Sequence, residues 1–290
     1  MPARPERASD RRTDGAGGTD DQDLHASEGP DIGARRQRPR PLVLLHGFTG
    51  STESWGDDLL SGLTVGGREV VPVDLPGHGG APPPSSDPRI ALDAAVTRVV
   101  DALSGPFDLL GYSMGGRIAL HVALQYPDRV RRLVLESASP GLSSESERAA
   151  RRDDDEILAA RIEEQGIEVF AAEWAAVDVL RPGPRRPSAA TRRADRVRRA
   201  NGAPGLAGAL RGLGTGSLPS LWDRLGEVRA PTRLVTGALD AKFVEIARRM
   251  AGVMNDAVVD AVPDAGHTVH LDRPDAWLAL VTSWLDGSSR

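Results

Sequence analysis

The stretch Gly111-Tyr112-Ser113-Met114-Gly115-Gly116-Arg117 decides how this chain is read. It follows the apolar run Phe107-Asp108-Leu109-Leu110 and leads into Ile118-Ala119-Leu120-His121-Val122-Ala123-Leu124, which places it at a strand-to-helix junction. A Gly-x-Ser-x-Gly in that setting lifts the serine onto a strained turn above a parallel sheet. Glycine is needed on either side because a Cβ would collide with the neighbouring strand or helix. Arg117 lies four residues after Ser113, on the same helix face, where ordinary packing prefers a small side chain. An arginine beside such a serine points to an anionic substrate.

Strand and helix patterns alternate outward from this junction. Upstream, Pro41 to Phe48 reads as a short buried strand ending in a glycine turn, and Glu69 to Asp74 as a second strand running into Leu75-Pro76-Gly77-His78-Gly79. Arg89 to Leu103 carries apolar residues at helical spacing. Downstream, a strand is expected at Val130 to Leu135. From about 142 to 222 the chain is charged, helical in pattern and interrupted by Gly and Pro, without β-rich runs. Alternation resumes with the strand Thr232 to Gly237, a helix around 241 to 252, the strand Ala257 to Val262 and a helix from Pro274 to Leu285. Such alternation implies an α/β protein with a mostly parallel sheet covered on both faces. The middle stretch is then a helical cap inserted after one strand. Residues 1 to 40 hold almost no large apolar side chains and are expected to form a disordered leader, so the folded domain spans 41 to 290.

Composition narrows the possible functions. A formal charge of -5 over 290 residues argues against nucleic-acid binding, which needs a basic field. Cysteine is absent, which removes disulfides and thiolate metal sites. No apolar run approaches the ~18 residues of a membrane span, and the N-terminus lacks the apolar core of a signal peptide. The expectation is a cytoplasmic enzyme that does not insert into membranes. Lys242 is the single lysine, so the abundance of arginine reflects a general bias, and arginine counts alone carry no weight.

An activated serine needs a base, and the base an orienting acid, in the chain order Ser, Asp or Glu, His. Asp240 follows one late strand in Gly237-Ala238-Leu239-Asp240, and His267 follows the next in Asp264-Ala265-Gly266-His267. The expected triad is Ser113, Asp240 and His267, with Asp240 holding the imidazole tautomer that accepts the serine proton. His270 is an alternative base, and Asp264 and Glu136 are alternative acids. His46 and His78 lie in glycine turns and read as structural or pocket-wall residues. Two backbone N–H groups should form an oxyanion hole: that of Met114, at the start of its helix, and that of Phe48 in the turn after the first strand.

Taken together, five motifs resemble one family of this fold class. They are His46-Gly47-Phe48-Thr49-Gly50-Ser51, Asp74-Leu75-Pro76-Gly77-His78-Gly79, the serine stretch with its Arg117, Gly237-Ala238-Leu239-Asp240-Ala241-Lys242-Phe243, and Ala265-Gly266-His267. The resemblance is to the SHCHC synthases (2-succinyl-6-hydroxy-2,4-cyclohexadiene-1-carboxylate synthases) of menaquinone biosynthesis, which have the α/β-hydrolase fold. It covers about 41 to 285. Within the cap, Ser139 to Leu142, Glu147 to Arg151, Phe170 to Trp174, Arg198 to Asn201 and Gly214-Thr215-Gly216 are similar to the family's segments. The resemblance implies a lyase that eliminates pyruvate from 2-succinyl-5-enolpyruvyl-6-hydroxy-3-cyclohexene-1-carboxylate, a small-molecule tricarboxylate, without metal or organic cofactor. It places Tyr112, Arg117, Arg151, Trp174 and Arg198 as substrate-binding residues. Three guanidinium forks suit three carboxylates; Arg148 and Arg199 neighbour two of these positions.

On this reading Ser113 acts as a base toward the ring proton α to the succinyl ketone, and the enolate oxygen sits on the Met114 and Phe48 N–H groups. Two other readings use the same residues. A carboxylesterase or C–C bond hydrolase would acylate Ser113, and a receptor on the same scaffold would bind ligand without turnover. Fold alone does not separate them.

Overall fold

The computed structural model describes residues 39–177, 180, 181, 183, 184 and 186–287. Nearly all of the leader expected over 1 to 40 lies outside the described residues. Six strands form one sheet: β1 Leu42–Leu45, β2 Val70–Val73, β3 Phe107–Tyr112, β4 Val130–Glu136, β5 Thr232–Gly237 and β6 Ala257–Val262. They are ordered β2-β1-β3-β4-β5-β6, and each neighbouring pair is parallel. β1 is Leu-Val-Leu-Leu, buried throughout, as a strand covered on both faces must be. Its side chains alternate between two cores. Val43 and Leu45 join Leu109, Ile118 and Leu135 on one face; Leu42 and Leu44 join Leu110, Trp55 and Trp277 on the other. Pro72 fits in β2 because β2 is an edge strand, where a missing ladder donor is tolerated.

The helices are α1 Gly56–Leu63, α2 Pro88–Asp101, α3 Met114–Gln125, α4 Glu145–Ala175, α5 Ser188–Ala200, α6 Ala203–Leu213, α7 Ala241–Ala251, α8 Val269–Asp272 and α9 Pro274–Leu285. Their boundaries have local causes. The Asp87 carboxylate caps α2, with Pro88 in its first turn. Ser144 and Glu147 close a reciprocal capping box at the start of α4. Gly166, at φ 80°, breaks the helical path within α4.

Helices α4, α5 and α6 come between β4 and β5 and form the helical cap. Its apolar centre gathers Ala159, Ile162 and Phe170 from α4 with Leu206, Ala207 and Leu210 from α6. Phe48 and Trp174 pack against this cluster, so the cap core touches the turn after β1. The strand order reverses between β1 and β3, and ligands of open parallel sheets bind outside the carboxyl ends of the strands at such a point. The loops leaving those two strands carry Phe48 and Ser113.

Candidate active site

β3 runs two residues beyond the expected Leu110, to Tyr112, and delivers Ser113 at φ 51° and ψ -111°. A non-glycine residue rarely adopts this conformation, and here it is held by a 2.8 Å bond from the Ser113 N–H to the Glu136 carbonyl. The turn is possible only because its neighbours are bare. A Cβ on Gly115 would stand 2.5 Å from the carbonyl oxygens of Leu45 and His46. α3 therefore starts directly against the end of β1.

His267 lies on the loop after β6 and reaches Ser113 across the top of the sheet, with Nε2 3.1 Å from Ser113 Oγ. Its Nδ1–H donates to Asp240 Oδ2 at 2.7 Å, which leaves the Nε2 lone pair facing the serine. Asp240 sits between β5 and α7 and also accepts the Phe243 N–H at 3.3 Å. The Phe243 ring meets His267 edge-on at 4.5 Å. The two loops approach so closely that a Cβ on Gly237 would overlap the carbonyls of Ala265 and Gly266, and the Leu239 N–H donates to the Ala265 carbonyl at 2.9 Å.

The alternative acids and base occupy other places. Glu136 is buried at the end of β4 and accepts from His270 Nδ1 at 2.9 Å and Trp277 Nε1 at 2.9 Å. His270 thus belongs to Glu136 rather than to Ser113. Asp264 pairs with Arg273 at 3.3 Å. His46 is locked as a neutral imidazole: Nδ1–H donates to the Gly47 carbonyl at 2.8 Å and Nε2 accepts the Leu75 N–H at 3.0 Å. Burial lowers its pKa to about 4. Burial, and then the neighbouring His46, lowers that of His78 to about 3.

The N–H groups of Phe48 and Met114 make no turn or loop hydrogen bond among the described residues, as donors reserved for a ligand oxygen would not. Trp174 packs edge-to-face on Phe48 at 5.4 Å. Tyr112 shares a 2.9 Å hydrogen bond with Thr268 Oγ1, and burial pushes its pKa above the usual tyrosine range, so it remains a neutral phenol.

The arginines fall into two groups. Arg117 is 7% exposed. It donates to Thr215 Oγ1 at 2.6 Å and to the Leu213 carbonyl at 2.9 Å, while its buried Nε finds no partner among the described residues. Burial, reinforced by Arg151, lowers its pKa to about 10, and Asp155 opposes the shift. Arg151 Nε is bound to Asp155 Oδ1 at 2.8 Å. Arg198, on α5, lies apart from these two and lines a cavity with Tyr112, Phe48 and His270. Arg148 pairs with Glu145, and Arg199 with Glu168 and Asp195. Sequence reasoning did not single out Arg186, which lines the same cavity as Arg198 and donates to the buried Asp272 at 2.5 Å. It stands in an arginine-rich, proline-rich segment with no periodic or motif signal.

A serine on a strained turn, an imidazole and a carboxylate at the ends of successive parallel strands define an α/β-hydrolase site. The model of the Alpha/beta hydrolase family matches residues 42–280, and the chain belongs to that family. Within it, the chain is 37% identical over 270 residues to a Bacillus subtilis (strain 168) protein provisionally named 2-succinyl-6-hydroxy-2,4-cyclohexadiene-1-carboxylate synthase, covering 90% of this chain and 93% of that one. It is 31% identical over 252 residues to the Klebsiella pneumoniae subsp. pneumoniae enzyme of that name, covering 84% and 93%. Among solved structures it resembles MenH from S. aureus, with a TM-score of 0.79, 31% identity and coverage of 87% and 95%. The chain is a member of the SHCHC synthase family.

Proposed function

We propose that this enzyme is a lyase that eliminates pyruvate from 2-succinyl-5-enolpyruvyl-6-hydroxy-3-cyclohexene-1-carboxylate to give SHCHC, with Ser113 as the base. The observation that carries this reading is a hydrogen-bonded Ser–His–Asp relay with the buried Arg117 four residues after its serine, in a chain of the SHCHC synthase family. His267 accepts the Ser113 proton, and the resulting alkoxide removes the ring proton α to the succinyl ketone. The enolate oxygen is received by the Phe48 and Met114 N–H groups, whose fixed dipoles oppose its developing charge. Electrons move through the ring alkene in a 1,4-elimination: the C–O bond to the enolpyruvyl group breaks, and a conjugated diene forms. The departing enolate takes up a proton and becomes pyruvate.

Arg117, Arg151 and Arg198 bind the substrate carboxylates, and Tyr112 and Trp174 line the pocket. An anionic small-molecule substrate suits Arg117, which is buried and whose guanidinium is bonded, among the described residues, only to a hydroxyl and a carbonyl, whereas neutral esters would offer its charge no carboxylate. Every reacting group in this scheme belongs to the chain or the substrate, so no cofactor enters it. A location in the cytoplasm is consistent with a biosynthetic lyase; no helix of the described residues is long and apolar enough to cross a membrane.

The test is pyruvate release from enzymatically prepared substrate, with Ser113→Ala and Arg117→Ala alongside. Ser113→Ala should lose nearly all activity, and Arg117→Ala should raise KM. No pyruvate from the unaltered enzyme, or an acyl-enzyme detected by intact mass, would overturn the lyase reading in favour of a hydrolase.

A further inference from the structure

Two arginines share a cavity walled by Tyr112, the residue before the serine. Arg198 comes from α5 and Arg186 from the residues just before it, and both line a cavity of about 70 Å³ with Tyr112, His270 and the Phe48–Thr49–Gly50 turn. The Arg186 side chain is 7% exposed, with Nε 2.5 Å from Asp272 Oδ1. Its buried Nη2 has no partner among the described residues, and neither has the buried Nε of Arg198. The contact from Arg198 to Asp195 is long, at 3.5 Å.

Asp272 cannot balance both cations. It is fully buried, and it already accepts the Gly266 N–H at 2.7 Å and the Gly183 N–H at 3.0 Å. Two guanidiniums with unused donors therefore face one space, in which Asp272 has three of its roughly four acceptor sites taken and Asp195 reaches Arg198 only at 3.5 Å while also holding Arg199. An uncompensated buried charge is costly, and a second carboxylate is the group whose geometry suits paired guanidinium donors.

We propose that Arg186, acting with Arg198, binds the carboxylate at the end of the substrate's succinyl arm. This rests on the lyase reading above. With the ketone oxygen on the Phe48 and Met114 N–H groups, the arm leaves the ketone carbon beside the Phe48 turn, and the cavity opens against that same turn. The cavity, of about 70 Å³, offers room beside that turn for the arm's carboxylate. Asp272 orients Arg186 and also anchors Gly266, the residue before His267. The arm's carboxylate and the loop of the base thus share one buried anchor.

The test compares the free-acid substrate with its succinyl-arm monomethyl ester on the unaltered enzyme, Arg186→Gln and Arg186→Lys. Esterification should cost the unaltered enzyme about 10- to 100-fold in kcat/KM, the range of a charge-assisted contact. Arg186→Gln should lose a similar factor on the acid but less than about threefold more on the ester, and Arg186→Lys should recover part of it. A merely structural role lowers both substrates alike. The same acid-to-ester ratio in Arg186→Gln as in the unaltered enzyme would overturn the assignment and leave the lyase reading standing. Should Arg186→Gln not fold, Ala194→Asp places a carboxylate on the cavity wall. It should raise KM for the acid at least about tenfold and spare the ester, as a resident carboxylate takes up the guanidinium donors; an unchanged KM would equally refute the assignment. Absence of pyruvate from the unaltered enzyme would remove both claims together.

Discussion

Gly115→Ala tests whether the oxyanion hole is assembled by the close approach of two elements. The added Cβ would stand 2.5 Å from the carbonyl oxygens of Leu45 and His46, where ordinary contact begins at 3.4 Å. Both obstacles are backbone, so no side chain can swing aside. The start of α3 and the end of β1 must part by about 0.9 Å to restore contact at 3.4 Å. Those two elements carry the Met114 and Phe48 N–H groups, and the separation pulls one donor off the enolate oxygen. A displacement of about 1 Å, or loss of one oxyanion donor, is worth roughly 10²-fold in rate, equivalent to about 2.7 kcal/mol. Overpacking should cost about 1–3 kcal/mol of stability as well.

The assay is steady-state pyruvate release with a thermal melt of the same sample. The expected result is kcat down about 10²-fold with a smaller change in KM, because the lost donor acts on the transition state. Gly105→Ala is the control, since its Cβ would meet nothing within 4 Å, and it should leave both readouts unchanged. A Gly115→Ala enzyme that melts cooperatively and keeps kcat within about threefold would refute the claim that these N–H groups stabilise the transition state.

Asp240→Asn should lower kcat by about 10²–10⁴-fold, because an amide no longer fixes the His267 tautomer that faces Ser113; the pyruvate assay at saturating substrate reads this directly. Trp277→Phe should cost about 1–3 kcal/mol in denaturant unfolding with kcat little altered, since it strips one donor from the fully buried Glu136. Acid should destabilise the fold through its buried neutral imidazoles. His46 and His121 are each lowered by burial from 6.5 to about 4, so the unfolded chain binds more protons throughout that window. Stability is then complete above about pH 6.5 and falls as pH drops toward 4, by on the order of 2 kcal/mol per histidine at pH 5. Urea midpoints that stay level from pH 7.5 to pH 5 would contradict this.

Much of the fold was legible because the physics of a buried parallel sheet is written in short range. Ala257 to Val262 and Pro274 to Leu285 match β6 and α9 at both ends, since turn residues and apolar periodicity coincide there. β3 outran its apolar pattern through Gly111 and Tyr112 because pairing with Leu135 and Glu136 of β4 extends it. β2 is shorter than the run Glu69 to Asp74, as it pairs with β1, which is only four residues long. Of the competing acids, the sequence could rank Asp240 and Glu136 only by position. The decision between them came from where His267 and His270 point, a property of loop geometry that no local pattern encodes.

The sequence by itself determined the class of protein. The serine stretch needs its glycines wherever a helix starts against a strand end, and the order of Ser113, Asp240 and His267 follows from strands laid side by side in chain order. Arg117 was conspicuous because a charged side chain interrupts a small, apolar helix face. Only the tertiary structure decided the surroundings of the arginines. Arg117 lies against Leu213 and Thr215, and Arg151 against Asp155, whereas Arg186 and Arg198 share a cavity with Tyr112. Charge is a local property of a residue, but its partner and its desolvation are set by elements far away in the chain, here Asp272 for Arg186 and the β1 turn for Arg198.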